Sequence, residues 1–324
     1  MDMKHIMTTL LALALCATAT AQDFDKYFTD STLRLDYIFE GNARQQHIAL
    51  DQLNVSPRWY GKRQRLAELP VQGNGQLTMR DHKTRTAIYR NSFSTLFQEW
   101  LSYPEAEGAA RSFENVFLMP MPKDTVEVTI DLRNNRQEVI ASNTHTVVPS
   151  DILIRRIGKK PTPYTTLWQA RDTTRCIHIA FVAEGYTEGE METFVADAHT
   201  AMDAIFAHEP FKSMRDRFNV VAVKAVSAES GTSSPATGEW KNTALGSHFD
   251  TFYSSRYLTT LRLKTLHDVL AGTPYEHIIV LVNTDQYGGG GILNSYNLAM
   301  THHPKFRPVV VHEFGHSFAG LSDE

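Results

Sequence analysis

The sequence has little cysteine. Only two cysteines occur in 324 residues, and one of them, Cys16, lies in an N-terminal segment that has the pattern of a secretion signal. Removal of that segment would leave Cys176 alone, so an intramolecular disulfide is excluded. A secreted chain without disulfides depends on the size of its core or on bound metal for its stability. Cys176 begins the apolar run "CIHIAFVA", which favours a buried strand position over a reactive thiol.

The chain also lacks an excess of charge of either sign. Its 32 Lys and Arg residues nearly balance its 36 Asp and Glu residues, which gives a formal net charge of −4. No basic stripe is present that would neutralise phosphates, so the sequence argues against nucleic acid as a partner and gives no support for binding to a membrane surface. With 42% hydrophobic and 21% charged residues, the composition is that of a globular protein long enough for two domains.

The hydrophobic run near the N-terminus is too short to predict insertion into a membrane. It covers residues 6–17, follows Lys4 and is followed by small residues up to position 21. This order predicts a cleavable signal peptide over residues 1–21 and a secreted product, extracellular or periplasmic. A transmembrane anchor would need roughly 18 or more apolar residues. A lipoprotein signal through Cys16 is disfavoured because the bulky Leu15 stands where a small residue is usual.

Residues 22–150 have the pattern of a β-sandwich domain. The segments "TLRLDYIFEG" and "TVEVTIDL" alternate with a period of two, and turn residues such as Gly73-Asn74-Gly75 separate the runs. The segment 92–101, "SFSTLFQEWL", is compatible with either a strand or a short helical turn. The basic, proline-containing stretch that follows predicts a linker or boundary over residues 151–175.

Residues 176–324 alternate between apolar runs and amphipathic segments. The runs at 176–185, 218–226 and 277–283 predict buried strands, and the segments at 187–206 and 257–272 predict helices. Strands that alternate with helices indicate a three-layer α/β domain around a largely parallel sheet. The predicted fold class is therefore α+β with two domains, an N-terminal β-sandwich and a C-terminal α/β domain.

The sequence "VVVHEFGHSFAGLSDE" contains the pattern His-Glu-x-x-His. His312 and His316 are four residues apart, so on a helix they share one face and can both bind one Zn²⁺. Glu313 lies beside that face and can take a proton from a metal-activated water as general base. The alternative, two core histidines that bond to backbone carbonyls, is disfavoured by the apolar residues around them.

A catalytic zinc site needs a third protein ligand. In compact zinc peptidases a glycine ends the helix and turns the chain back to the metal. Gly320 and Asp323 keep the spacing between that glycine and the third ligand, although one extra residue lies between His316 and Gly320. Asp323 is therefore the expected third ligand, and Glu324 is the fallback. A solvated acidic pair is the alternative interpretation of these two residues.

The longer motifs carry a resemblance to a known family. The segment that contains His312, together with "AEGYTEGEM", "DTFYSSRYLTT" and "NTDQYGGGGILNSY", resembles the M64 family of secreted bacterial metallopeptidases. The segments "STLRLDYIFEGN" and "YRNSFSTLFQEWL" resemble the β-sandwich domain that precedes the peptidase in that family. The resemblance implies a metzincin-like catalytic domain, with zinc held by His312, His316 and Asp323 and with Glu313 as base. It does not imply cleavage of immunoglobulin A.

Several further segments are candidates for the substrate cleft. The four glycines of "YGGGG" would allow close backbone approach at an edge strand that receives a peptide, although a mobile surface hairpin has the same composition. Four further residues could reach the cleft, although their spacing in the sequence does not show whether they do so: Arg256, Tyr257, His302 and His303. Other histidines, among them His248, His267 and His277, are expected to be structural.

These patterns predict a secreted zinc-dependent endopeptidase that acts on a protein or peptide. The competing hypothesis is a secreted binding or adhesion protein that uses the β-sandwich and keeps a vestigial metal site. The oligomeric state is not predicted. Because only Glu324 follows the expected third ligand, too little chain remains to form the floor of the cleft, and we also expect the chain to be a fragment, incomplete at the C-terminus of its peptidase domain.

Overall fold

The structure is a computed structural model that describes residues 24–323, so the predicted signal peptide and the fallback ligand Glu324 lie outside the described residues. It has a mixed α/β fold with three sheets and few helices. Among residues 24–323, none of the helices combines the length and the apolar character that a membrane crossing requires.

The first two sheets have four strands each. One has the order β5-β1-β2-β8 and the other the order β4-β3-β6-β7. Their strands are β1 (Phe28–Gly41), β2 (Gln46–Pro57), β3 (Gly75–Asp81), β4 (Ala87–Phe93), β5 (Arg111–Pro122), β6 (Val126–Arg133), β7 (Val139–Val147) and β8 (Arg155–Arg156). Three short helices accompany them, α1 (Phe24–Tyr27), α2 (Leu96–Trp100) and α3 (Glu105–Gly108).

These two sheets, hereafter the paired sheets, pack face to face. Along β6 every second residue is buried, as its period-two sequence predicts. Phe93 on β4 packs against Phe117 on β5, with ring centroids 4.2 Å apart. The segment 92–101, which was compatible with a strand or a helical turn, contains both: β4 ends at Phe93 and α2 begins after Thr95. The Thr95 hydroxyl caps this helix by accepting the Gln98 N–H at 3.1 Å.

The third sheet has six strands in the order β13-β14-β12-β10-β11-β9. Its strands are β9 (Tyr164–Trp168), β10 (Ile177–Glu184), β11 (Phe218–Val223), β12 (His277–Val282), β13 (Gly289–Ile292) and β14 (Tyr296–Met300). The four inner strands are parallel, and β9 and β13 are antiparallel edge strands. The longer helices of this part are α4 (Met191–Ile205), α5 (Leu263–Val269) and α6 (Phe306–Ala319).

Three expectations differ from the structure in detail. The helix predicted over 257–272 is only α5, because Tyr257 before it pairs with Gly289 of β13 and Thr259 pairs with His248. The predicted linker 151–175 carries β8 and β9, so it contributes one strand to a four-stranded sheet and one to the six-stranded sheet. Cys176 precedes β10 and is half-buried, since the strand begins one residue later than its apolar run.

The six-stranded sheet has a different core on each face. Ile179 and Phe181 point to the face that is covered by α4 and α6. Ala180 and Val182, on alternate positions of the same strand, belong to a core that is continuous with the interior of the paired sheets. Burial of this shared face joins the two parts of the chain through the hydrophobic effect.

A buried arginine makes a second connection between the parts. Arg34 on β1 forms a two-point ion pair with Asp36, at 2.7 Å and 2.9 Å, and also reaches Asp268 on α5 at 2.6 Å. The side chains of Arg34 and Asp36 are almost fully buried. Planar guanidinium groups favour such two-point geometry. Held in this way on β1, the guanidinium also donates to the Lys264 carbonyl at 3.1 Å and so links α5 to β1.

A buried carboxylate organises the loop at the carboxyl end of β10. Glu184 is fully buried and accepts hydrogen bonds from the Thr243 hydroxyl at 2.6 Å, the Leu245 N–H at 2.7 Å and the Ser247 N–H at 2.8 Å. Three donors converge on one side chain, so the loop around residues 243–247 depends on it.

We expect Glu184→Ala to destabilise the protein by at least about 3 kcal/mol, because three buried donors lose their acceptor. Denaturant unfolding followed by circular dichroism measures the change. Glu192→Ala removes an exposed carboxylate from α4 and is the matched control. Equal stability of the two variants would contradict the role given to Glu184.

Candidate metal centre

Helix α6 carries the His-Glu-x-x-His sequence against the six-stranded sheet. Its buried apolar residues, among them Val310 and Phe314, pack in the core beneath the sheet. Pro308 lies in the first turn, where its missing N–H costs little. The helix ends at Ala319, and Gly320 adopts φ 66°, the left-handed conformation that ends many helices and that glycine adopts without strain.

The turn at Gly320 brings the predicted third ligand back to the helix. The distances between ligand atoms are 3.0 Å for His312 Nε2 to His316 Nε2, 3.1 Å for His312 Nε2 to Asp323 Oδ1, and 3.3 Å for His316 Nε2 to Asp323 Oδ1. Ligands about 2.0 Å from a tetrahedral zinc ion lie about 3.3 Å apart. The three atoms therefore fit three corners of a zinc coordination sphere, in donor type and in spacing. The extra residue before Gly320 is accommodated in the last turn of α6.

A backbone contact orients one of the histidines. His316 Nδ1 lies 2.5 Å from the Leu321 carbonyl oxygen, so that nitrogen carries the proton and donates it. The other ring nitrogen, Nε2, faces Asp323 and His312. Such contacts to the second nitrogen of a ligating histidine fix its tautomer and ring orientation.

Glu313 is buried between α6 and the edge strand β13. A Cβ added at Gly289 would lie 2.5 Å from the Glu313 carboxylate, and one added at Gly291 would lie 2.6 Å from the Glu313 carbonyl oxygen. Only glycine leaves room for the helix at this distance. Burial, and to a smaller extent the charge of Asp323, raises the pKa of Glu313 to about 8.

The glycine-rich segment therefore has a different role from the one its composition suggested. Gly289–Ile292 forms the edge strand β13, which is one arm of a hairpin with β14, and its outer edge is partly occupied. The Gly289 N–H donates to the Arg256 carbonyl at 3.2 Å, and the Gly289 carbonyl accepts the Leu258 N–H at 3.1 Å. Gly289 and Gly291 permit the close approach of α6, and Gly288 and Gly290 permit that of residues 256–258.

A cleft of about 1530 Å³ opens in front of the three ligand residues. This volume is larger than a typical small-molecule pocket. Arg256 and Tyr257 line the cleft, as the sequence allowed, whereas His302 bonds instead to Asp197 at 3.1 Å. His303 packs on the ring of Tyr287.

One cleft residue comes from a helix beside the paired sheets and was missed from the sequence. Glu99 on α2 accepts the Tyr257 hydroxyl at 2.5 Å, over a separation of 158 residues in the chain. Burial raises the pKa of Glu99, while the Tyr257 hydroxyl and the charge of His316 act in the opposite direction. Burial and the charge of Glu99 raise the pKa of Tyr257 well above its usual range, so the phenol stays a donor. No local sequence signal points to a contact of such long range.

Comparison with known proteins adds a relationship for both parts of the chain. Residues 23–144 match the family model described as Peptidase M64 N-terminus. Residues 165–324 match the family model described as IgA Peptidase M64. A comparison with curated proteins found no match.

We expect Gly291→Ala to lower stability by about 1–3 kcal/mol, because the added methyl group forces α6 away from β13. Thermal unfolding of the metal-free protein measures this effect. Gly189→Ala is the matched control, since a Cβ there meets open space. An unchanged unfolding temperature for Gly291→Ala would show that α6 does not depend on this close contact.

Proposed function

Since this chain belongs to the M64 peptidase family, we propose that it is a secreted zinc-dependent endopeptidase whose catalytic domain is metzincin-like. Family membership makes it a peptidase that acts on proteins or peptides. The observation that carries the finer proposal is the spacing of the His312, His316 and Asp323 ligand atoms, 3.0–3.3 Å apart. The buried carboxylate of Glu313 lies on the same helix and lines the same cleft.

In this proposal His312, His316 and Asp323 hold one zinc ion. When bound, the ion would lower the pKa of water and polarise a peptide carbonyl. Glu313 accepts the proton that the attacking water loses and returns it to the leaving amine. Gly289 and Gly291 keep this side chain beside the ligand residues.

The proposed domain layout follows from the same site. Residues 176–324 would form the catalytic domain, and residues 22–150 the domain that precedes it. The helix-ending glycine and the aspartate three residues later support a metzincin-like arrangement, because all three candidate ligands then lie within residues 312–323. Secretion to the extracellular or periplasmic space is proposed from the pattern of residues 1–21 alone.

We expect Glu313→Gln to abolish peptide cleavage while zinc stays bound, because the amide cannot accept a proton and the three ligands are unchanged. Release of fluorescent fragments from labelled unfolded casein measures cleavage, and elemental analysis measures zinc. Glu188→Gln, an exposed change in the same part of the chain, is the control. Cleavage by Glu313→Gln at the wild-type rate would remove Glu313 from the mechanism, and a zinc-loaded wild-type protein that cleaves nothing would overturn the proposed activity of this chain.

We expect Asp323→Ala to weaken zinc binding by at least about a hundredfold, because one of three protein ligands is lost. Glu324→Ala should leave the affinity almost unchanged. Competition with a zinc-binding dye, carried out on both variants in parallel, ranks their affinities. The reverse ranking would transfer the role of third ligand to Glu324.

A further inference from the structure

The cleft is lined by side chains from both parts of the chain, and one pair of them is hydrogen-bonded across the boundary. Glu99 comes from α2, beside the paired sheets, and Tyr257 comes from the loop that precedes α5. The Tyr257 hydroxyl donates to Glu99 Oε2 at 2.5 Å. Both side chains are half-buried and both face the cleft that holds Glu313 and the ligand histidines.

The loop that carries Tyr257 has an unusual backbone. We call residues 250–258 the wall segment. Within it Asp250, Phe252 and Tyr253 have φ angles of 58°, 51° and 65°, in the left-handed region that non-glycine residues rarely adopt. Such conformations persist only where surrounding contacts hold them, and they are concentrated at functional sites.

Contacts on two sides hold the wall segment. On one side Phe252 packs on Tyr103, which follows α2, with ring centroids 4.8 Å apart, and Tyr257 bonds to Glu99. On the other side the segment pairs with Gly289, and the Tyr257 ring lies so close to Gly290 that a Cβ there would be 2.8 Å from the ring. The tyrosine is thus fixed between α2 and the edge strand.

We propose that Glu99 is a positioning residue of the peptidase, which holds the Tyr257 phenol and the wall segment in place along the substrate cleft. This inference rests on the proposed function, because it assigns the paired sheets a part in presenting the substrate to the metal centre. The occupant of the cleft is the peptide substrate, and the wall segment borders the space in front of Glu313.

The alternative is that the bond only joins the two parts of the chain. Other contacts already do so, since Arg34 reaches Asp268 and the Asn294 amide donates to the Ser92 carbonyl at 2.7 Å. These contacts, and the shared core, remain when Glu99 is changed. The effect of losing Glu99 should therefore be confined to the wall segment and the cleft.

The test compares Glu99→Ala, Tyr257→Phe, the double variant and Glu99→Gln. We expect Glu99→Ala and Tyr257→Phe each to lower kcat/KM for an unfolded casein substrate by about tenfold or more, because the bound peptide is misplaced relative to Glu313. The double variant should lose no more than either single variant, since both remove one hydrogen bond. Glu99→Gln should restore most of the activity, because its amide oxygen accepts the same hydroxyl.

A second measurement does not depend on activity. Hydrogen–deuterium exchange should increase in residues 250–258 of Glu99→Ala and stay at the wild-type level in the sheets. Glu107→Ala, which removes an exposed carboxylate from α3, should change neither exchange nor cleavage.

The two measurements separate the possible failures. Unchanged exchange in the wall segment of Glu99→Ala would overturn the proposal, as would additive losses in the double variant. If the wild-type protein cleaves nothing, the proposed function fails, and the exchange of the wall segment alone decides whether Glu99 positions it.

Discussion

The close contact between helix α6 and strand β13 is the constraint on which the candidate site depends. At Gly289 and Gly291 a single methyl group would collide with Glu313 or with the backbone of its helix. This distance sets how deeply Glu313 is buried, and it places the histidine pair at the mouth of the cleft instead of inside the core. Ser317 attaches the same helix to the neighbouring strand β14, because its hydroxyl accepts the Asn297 amide at 2.9 Å. A glycine-rich segment thus has a packing role that determines the electrostatics of a carboxylate.

The paired sheets are structurally part of the same assembly as the metal centre. They share a core with one face of the six-stranded sheet, and they supply Glu99 to the cleft. Asn294 connects the paired sheets to α6. Its side-chain amide donates to the Ser92 carbonyl on β4, and its backbone N–H donates to the Ser317 carbonyl on α6. The helix with the candidate ligands is therefore supported from the N-terminal part of the chain as well as from its own sheet.

Local patterns in the sequence predicted the features that local physics determines. The four-residue spacing of His312 and His316 and the glycine after the helix were sufficient to group these histidines with Asp323, as the structure does. Periodicity located the strands β10, β11 and β12 within one or a few residues at each end. Features that depend on distant pairing could not be predicted. Residues 257–262 have a helical pattern but are extended, because Tyr257 and Thr259 pair with segments elsewhere in the chain.

The core that runs from the paired sheets into the six-stranded sheet also limits how this chain can be divided. Val182, Val223 and Val280 lie on the face that the paired sheets help to cover. A polypeptide confined to residues 165–324 would keep Leu258 and Leu266 in this core but would expose the part of it that the paired sheets cover. Surfaces of this kind drive aggregation. In this molecule the N-terminal part therefore covers apolar surface of the part that carries the histidines.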